Sequence, residues 1–528
     1  MSLFALSFIM PLVVIALLLF KPFAKFSNVA VVAIFFGFIF ALTAPIDASY
    51  SVGWFLLGLE FYIDSTAKMF LLFTTLVWFF ATLYAVFYIK SHKQSFWLLF
   101  LATYLGNFGL CFASDVIGFY LFFTLMSFAA FGLIMHERDS ESKDAAILYI
   151  KFALFGEILI FLAIIFWIYF YEGFSFSGSY DSLPWGVVLL ALIGFGVKVG
   201  VFLLHPWLPL AHSKAPAPVS AVLSAVMLKA GILGWIRFLP LGESSYEVLG
   251  TILIVLGFFG IFGGIYGITQ RGIKQILAYS SISQMGYLVV AIGFILIYPT
   301  TKAAILNAVI FFTIHHALVK SSLFLLAGDI LKEGFNKVNS FLSTLGAMVL
   351  IGLPFTSGAM AKDMLKYSTQ NDLLIFLFSM GSFVTALLML KFLLQAAKIA
   401  PTKASYKTKL TIAPLLVASI LVSLIPSQSF SIDMMQILPL VFAFLFYSFL
   451  IEKKITIKEL PTSDIATLFQ YKLDLSKLEK PLRLPQINIT RIQEKNQNIN
   501  SFIQDQKTIF LLATAFVFVA TLGVFLSF

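Results

Sequence analysis

The sequence predicts an all-α polytopic membrane protein with about 16 transmembrane helices. Three observations carry this. The 528 residues are 60% hydrophobic and only 11% charged, a balance foreign to soluble domains. Apolar stretches of about 17–28 residues recur along the chain, each long enough to cross a bilayer core. Basic residues gather in alternate loops between those stretches, as the positive-inside rule requires.

The expected spans fall near 3–20, 28–44, 66–89, 95–113, 115–135, 144–171, 184–204 and 217–240. They continue near 247–269, 275–298, 302–328, 341–357, 372–399, 409–426, 434–451 and 508–527. The first run has no basic residue before it and no small-residue cleavage site, so it reads as a span and not as a removed signal peptide. Odd-numbered loops carry Lys21, Lys25, Lys90, Lys93, Arg138, Lys143, Arg271, Lys274, Lys332, Lys337, Lys403, Lys407 and Lys409. Even-numbered loops carry Asp47, Glu60, Asp64, Asp181, Glu243, Glu247 and Asp433. Lys302, Lys362 and Lys366 depart from the alternation. Both termini are thus expected on the non-cytoplasmic side of the cell's inner (plasma) membrane. Residues 452–507 are polar and contain Pro461, Pro481 and Pro485, so they are expected to form a broken lateral segment on the cytoplasmic face.

Composition also limits the chemistry. The net charge of +10 belongs to the loops and is not a nucleic-acid signature. The single cysteine, Cys111, cannot form an intrachain disulfide or hold an iron–sulfur cluster, and six histidines without carboxylates at ligand spacing make no metal site. No cofactor is expected in this chain, and any electron transfer belongs to another subunit.

Four lysines fall inside the apolar stretches: Lys198, Lys229, Lys320 and Lys391. A lysine at the bilayer centre costs roughly 2.5–3.5 kcal/mol on insertion scales, so a chain that keeps four has a use for them. The bland alternatives are a side chain reaching an interface or a static ion pair. Mid-span placement argues against the first for Lys198, Lys229 and Lys320, whereas Lys391 is near enough to a helix end to reach water. Glu157 is also mid-span and is a candidate partner for Lys198. Around them, residues 198–237 read KVGVFLLHPWLPLAHSKAPAPVSAVLSAVMLKAGILGWIR. An apolar helix bearing Lys198 ends at His205-Pro206, and prolines at 209, 216 and 218 follow before a second helix bearing Lys229. Helix breaks beside ionisable residues mark ion pathways in transporters. The bland reading of His205 is a cap on the broken helix, and His212 reads as a solvated loop residue. Of His315 and His316, which point about 100° apart, His316 lies on the same helix face as Lys320, four residues on.

These residues resemble the antiporter-type membrane subunits shared by respiratory complex I, membrane-bound (group 4 type) hydrogenases and Mrp-type cation/proton antiporters. The resemblance is carried by Lys198, His205, Trp207-Leu208-Pro209, Ala211-His212, Ala215-Pro216, Val219-Ser220-Ala221, Lys229 and Gly231. It continues through Gln270, Lys274 and Leu277–Ser283, then His316, Lys320 and Leu323-Phe324-Leu325, then Gly352-Leu353-Pro354, Ser357-Gly358 and Lys362-Asp363. It implies two inverted five-helix repeats, each with a broken helix, and a row of polar residues along the membrane plane. The implied organisation is N-terminal helices at 1–113, a first repeat at 114–240, a second at 241–400, C-terminal core helices at 401–451, the polar segment at 452–507 and a final helix at 508–528. It implies the proton path Lys198, Glu157, Lys229, His316, Lys320, Lys391 and His205. The family glutamate on the fifth helix is replaced by Thr124, and a family histidine four residues before His316 is Phe312.

The expected function is a non-catalytic, proton-translocating subunit of a complex I-like (NADH dehydrogenase (quinone)-like) or hydrogenase complex. Expected partners are membrane lipid, other membrane subunits and peripheral redox subunits carrying iron–sulfur clusters, with no nucleic acid. The alternatives are a subunit of an Mrp-type Na+/H+ antiporter and a non-conducting membrane anchor.

Overall fold

A computed structural model describes residues 2–20, 29–53, 58–176, 183–243, 245–402, 406–424, 434–453 and 457–460. The polar segment from 461 onward and the expected last span lie outside the described residues. The chain is a helical bundle, and among the described residues nine helices are long and apolar enough to cross a membrane.

Two apolar helices, α1 (Leu3–Leu19) and α2 (Ala30–Thr43), precede an antiparallel hairpin of β1 (Ser49–Val52) and β2 (Leu59–Tyr62). Then come α3 (Ser65–Tyr88), α4 (Lys93–Leu110), α5 (Val116–Ile134) and α6 (Ser140–Tyr171). Asp64, Asp115 and Asp139 cap the starts of α3, α5 and α6, each accepting a backbone N–H at 2.6 Å. These acids sit where apolar runs begin because they satisfy helix N–H groups that have no intrahelical acceptor.

The expected span at 184–204 is interrupted. Helix α7 (Trp185–Val199) stops at Gly200, whose φ of +76° suits glycine, and resumes as α8 (Trp207–Lys214). Next, α9 (Ala217–Val222) passes through a π-helical turn at Leu223–Met227 into α10 (Leu228–Phe238). Then follow α11 (Glu247–Gly263), α12 (Ile273–Ile297) and α13 (Lys302–Glu333). The expected span at 341–357 is the second broken element: α14 (Lys337–Ile351) ends at Gly352, φ +90°, and α15 (Ser357–Thr369) follows Pro354. The described bundle closes with α16 (Asp372–Ala397), α17 (Tyr406–Leu421) and α18 (Met434–Glu452).

Close helix crossings use glycine. A Cβ on Gly286 of α12 would lie 2.5 Å from the Gly257 carbonyl oxygen of α11, and one on Gly250 would lie 2.6 Å from that of Gly293. Bare backbone at these points lets the two helices touch, the usual device where lipid removes the hydrophobic drive for association.

Burial separates an inner set of helices from an outer one. The most apolar windows of Ala217–Phe238, α12 and the α13 span are 94%, 94% and 89% buried within the protein, whereas those of α6 and α11 are 44% and 33% buried. Lys229 and Lys320 therefore sit on helices enclosed by other helices, and neither side chain can reach a lipid interface.

Candidate functional site

Lys198 ends α7 one residue short of the break, and it is 4% exposed. Its ammonium group donates to the Tyr149 hydroxyl at 3.2 Å, and Tyr149 donates onward to the Ser127 carbonyl of α5 at 3.0 Å. The Lys198 nitrogen also stands 5.3 Å and 5.4 Å from the ring centres of Phe123 and Tyr149. Glu157 of α6 is likewise 4% exposed and interacts electrostatically with Lys198, but the two form no ion pair within 4.0 Å. Instead Thr124, which occupies the position expected of a glutamate, donates to Glu157 Oε2 at 2.6 Å. The acid of this region thus stands on α6, and the threonine of α5 holds it.

At the centre Lys229, His316 and Lys320 are fully buried. The π turn explains the setting of Lys229. Its wider coil sends the Leu228 N–H to the Leu223 carbonyl, so the Ser224 carbonyl is not needed by Leu228 and accepts from Lys229 Nζ at 2.6 Å. The same Nζ meets His316 Nδ1 at 2.5 Å, which joins α10 to α13. One turn along α13, Lys320 donates to the Leu277 carbonyl and to Ser280 Oγ of α12, both at 2.8 Å. Ser224 and Ser281 hydroxyls pair at 2.9 Å beside them.

His212, expected at a loop surface, is instead buried on α8, stacked 4.4 Å from Phe324, with neither ring nitrogen partnered among the described residues. Lys274 caps the same region from α12, donating to the Ala215 carbonyl at 2.6 Å. His205 lies in the α7–α8 break, 8% exposed and stacked 5.4 Å from Phe202.

The outer end of the row departs from the expectation for Lys391. That side chain is only half-buried on α16 and makes no hydrogen bond among the described residues. Lys362, which the sequence presents as a charge beside Asp363 in a short polar helix, is 4% exposed. It donates to the Ile351 carbonyl at 2.7 Å and to Ser382 Oγ at 3.2 Å, 5.8 Å from the Tyr287 ring centre. Lys362 thus faces inward on α15, in the helix that follows the Gly352 break, while Lys391 is only half-buried on α16. His315 pairs with Ser357 Oγ at 2.8 Å, at the start of α15, and so faces away from Lys229.

The arrangement is a row of buried amines, one acid and imidazoles, in which the amines hold backbone carbonyls, hydroxyls or a ring nitrogen rather than a fixed counterion. Such groups can take up and release protons in turn, because no ion pair locks their charge.

A further ionic cluster lies apart from this row. Lys409 of α17 pairs with Asp329 of α13, and with Glu333 at 2.9 Å. Asp329 also accepts from Tyr84 at 3.0 Å and from Thr408 at 2.8 Å. Asp329 and Lys409 are 80 residues apart in the chain, and no local pattern signals their meeting.

Residues 113–388 match the family described as NADH:quinone oxidoreductase/Mrp antiporter, TM. The chain is 34% identical over 275 residues to NAD(P)H-quinone oxidoreductase chain 4 2 of Thermosynechococcus vestitus, covering 50% of each chain. It is 28% identical over 412 residues to NADH-quinone oxidoreductase subunit M of Rickettsia conorii, covering 70% of this chain and 81% of the relative. A structure of the Mrp complex from Dietzia sp. superposes with a TM-score of 0.73 at 18% identity, covering 99% of this chain and 62% of that one, a likeness of fold. The chain thus spans half the length of the first relative.

Proposed function

The chain belongs to the NADH:quinone oxidoreductase/Mrp antiporter membrane family, and on that premise we propose that it is a proton-translocating membrane subunit driven by a redox partner. The observation that carries this is the Lys229–His316 contact at 2.5 Å, which joins the helix of one lysine to that of the next inside the protein.

In this reading a neutral amine takes a proton, and the new charge is repelled by the next protonated lysine or steadied by Glu157. Two charges 6–8 Å apart at an effective dielectric near 20 interact by roughly 2–3 kcal/mol. That changes the occupancy of a site by about thirtyfold to a hundredfold, which suffices to switch it. The path runs through Glu157, Lys198, Lys229, His316 and Lys320 to Lys362. Lys391 is not needed in it, and His205 and His212 stand beside it. The partners are lipid, neighbouring membrane subunits and a peripheral redox arm carrying iron–sulfur clusters, and the chain itself catalyses no reaction.

The basic connections at Lys90, Arg138, Lys143, Arg271 and Lys332 face the cytoplasm in this reading, and the membrane is the inner membrane. Counting five crossings back from Phe238 reaches α4, so the first repeat begins near Lys93, ahead of 114.

Lys229→Ala in the assembled complex tests the proposal. The ratio of protons moved to electrons transferred falls while the complex assembles normally. An unchanged ratio with normal assembly removes Lys229 from the path and the proposal with it.

A further inference from the structure

Among the described residues, Gln284 Oε1 on α12 and His316 Nε2 on α13 are among the buried polar atoms near the centre that have no hydrogen-bond partner. Their levels in the bundle are set by contacts on either side. Lys320 reaches Ser280 at 2.8 Å, and the rings of Phe312 and Tyr287 stack at 5.5 Å. In an antiparallel pair those contacts place residue 284 level with residue 316, midway between them.

The orientation of the Gln284 amide follows from its other neighbour. Thr385 of α16 donates its hydroxyl proton to the Gly381 carbonyl at 3.1 Å, so it must accept from Gln284 Nε2, 2.9 Å away. That bond turns the NH2 group toward α16 and leaves the amide oxygen as a free acceptor. Gln284 is fully buried, and a buried carbonyl oxygen left unpaired is costly, so a polar partner or an ordered water belongs there.

His316 has the matching need. Lys229 donates to Ser224 and can donate to His316 only if Nδ1 is bare. A neutral ring then carries its hydrogen on Nε2 and needs an acceptor on that side. We propose that Gln284 is a positioning residue that accepts from His316 Nε2–H through one water, and so fixes the imidazole tautomer that lets Nδ1 receive a proton from Lys229.

The same amide links this centre to the outer lysine. Ser382, which accepts from Lys362, lies one turn from Thr385 on α16, so the amide also braces α12 against the helix that holds the outer lysine's partner. This role rests on the proton-translocating reading, and it adds a residue that carries no charge and takes no proton itself.

The experiment uses the assembled complex in native membrane vesicles. The subunit's share of redox-driven proton uptake is defined as the part that Lys229→Ala abolishes. Gln284→Met, close in volume but without an acceptor, lowers that share about tenfold at unchanged subunit content. Gln284→Glu keeps an acceptor oxygen while losing the N–H bond to Thr385, and it restores uptake to within about threefold of wild type. Thr385→Val, which also loses the α12–α16 bond, resembles Gln284→Glu. If Gln284→Met pumps normally while Lys229→Ala does not, the tautomer role is overturned and the translocation reading stands. If Gln284→Glu and Thr385→Val fail as badly as Gln284→Met, the amide only ties helices together, and the role is again overturned. If Lys229→Ala abolishes nothing, both readings fall. Should Gln284→Met reduce subunit content, Gln284→Leu is scored per assembled complex by the same criteria.

Discussion

Replacing Lys409 with methionine isolates the energetics of the Asp329 cluster. The lysine and aspartate side chains are 8% and 2% exposed, so the change leaves a carboxylate in the interior next to Glu333. Removing one partner of a buried ion pair typically costs about 3–5 kcal/mol, because the remaining charge is uncompensated. Asp329 keeps the Tyr84 and Thr408 donors, which points to the lower end, about 3 kcal/mol or about a hundredfold in a folding equilibrium. The double variant Asp329→Asn with Lys409→Met removes both charges, and asparagine still accepts from Tyr84, so more than half of that loss returns. A chain of this size does not unfold in one step, so the assay is the rank order of thermal midpoints for retention of monodisperse protein in detergent. A single variant as stable as wild type, or a double variant no better than the single, refutes the reasoning.

Three further outcomes follow from the same structure. Lys362→Ala abolishes the proton uptake that Lys229→Ala abolishes, whereas Lys391→Ala leaves it within twofold of wild type, measured in vesicles with electron transfer followed in parallel. Gly286→Ala brings a methyl group against the Gly257 carbonyl and separates α11 from α12; overpacking of this kind costs typically 1–3 kcal/mol, read as a lower thermal midpoint than that of Gly53→Ala, where a Cβ meets nothing within 4 Å. The third concerns Asp64 at the hairpin end, which receives Arg237 at 2.5 Å and 3.0 Å. Burial alone would raise its carboxyl, but Arg237 and the Ala67 N–H outweigh burial and hold it below the ordinary 3.8. A depressed carboxylate stabilises the fold above its unfolded value and loses that contribution as pH falls through the folded one. The gap in thermal midpoint between wild type and Arg237→Met is therefore constant near neutral pH, where Asp64 is ionised in both, and narrows on acidification as the carboxyl of the variant and then that of wild type take up a proton. A gap that widens on acidification contradicts the pairing.

The helical membrane architecture was legible because apolar run length needs no tertiary information. Most expected span limits lie within a few residues of the helices, and the two broken elements carry their Gly and Pro in plain view. What hydropathy cannot report is which way a residue faces. Lys391 stands in a clean apolar run and reads as buried, yet it is only half-buried on α16. Lys362 stands among Ser, Lys and Asp and reads as interfacial, yet in the helix after the Gly352 break its ammonium group is buried against the Ile351 carbonyl. His212 was misread for the same reason, since its prolines suggest a loop and its burial comes from Phe324, 112 positions further on. The π turn beneath Lys229 leaves no mark in residue types at all. The Thr124–Glu157 bond was half visible: each residue drew notice separately, and only the packing of α5 on α6 joined them.

The central claim is that the buried amines act in series, each passing a proton to the next. It is tested most directly by measuring initial rates of redox-driven proton uptake into proteoliposomes of the assembled complex, for Lys198→Ala, Lys229→Ala, Lys320→Ala and Lys362→Ala singly and for Lys229→Ala with Lys320→Ala. A series path predicts that all four single variants fall to one common floor and that the double variant falls no further. Four rates at the wild-type level, or losses that add independently, would contradict it.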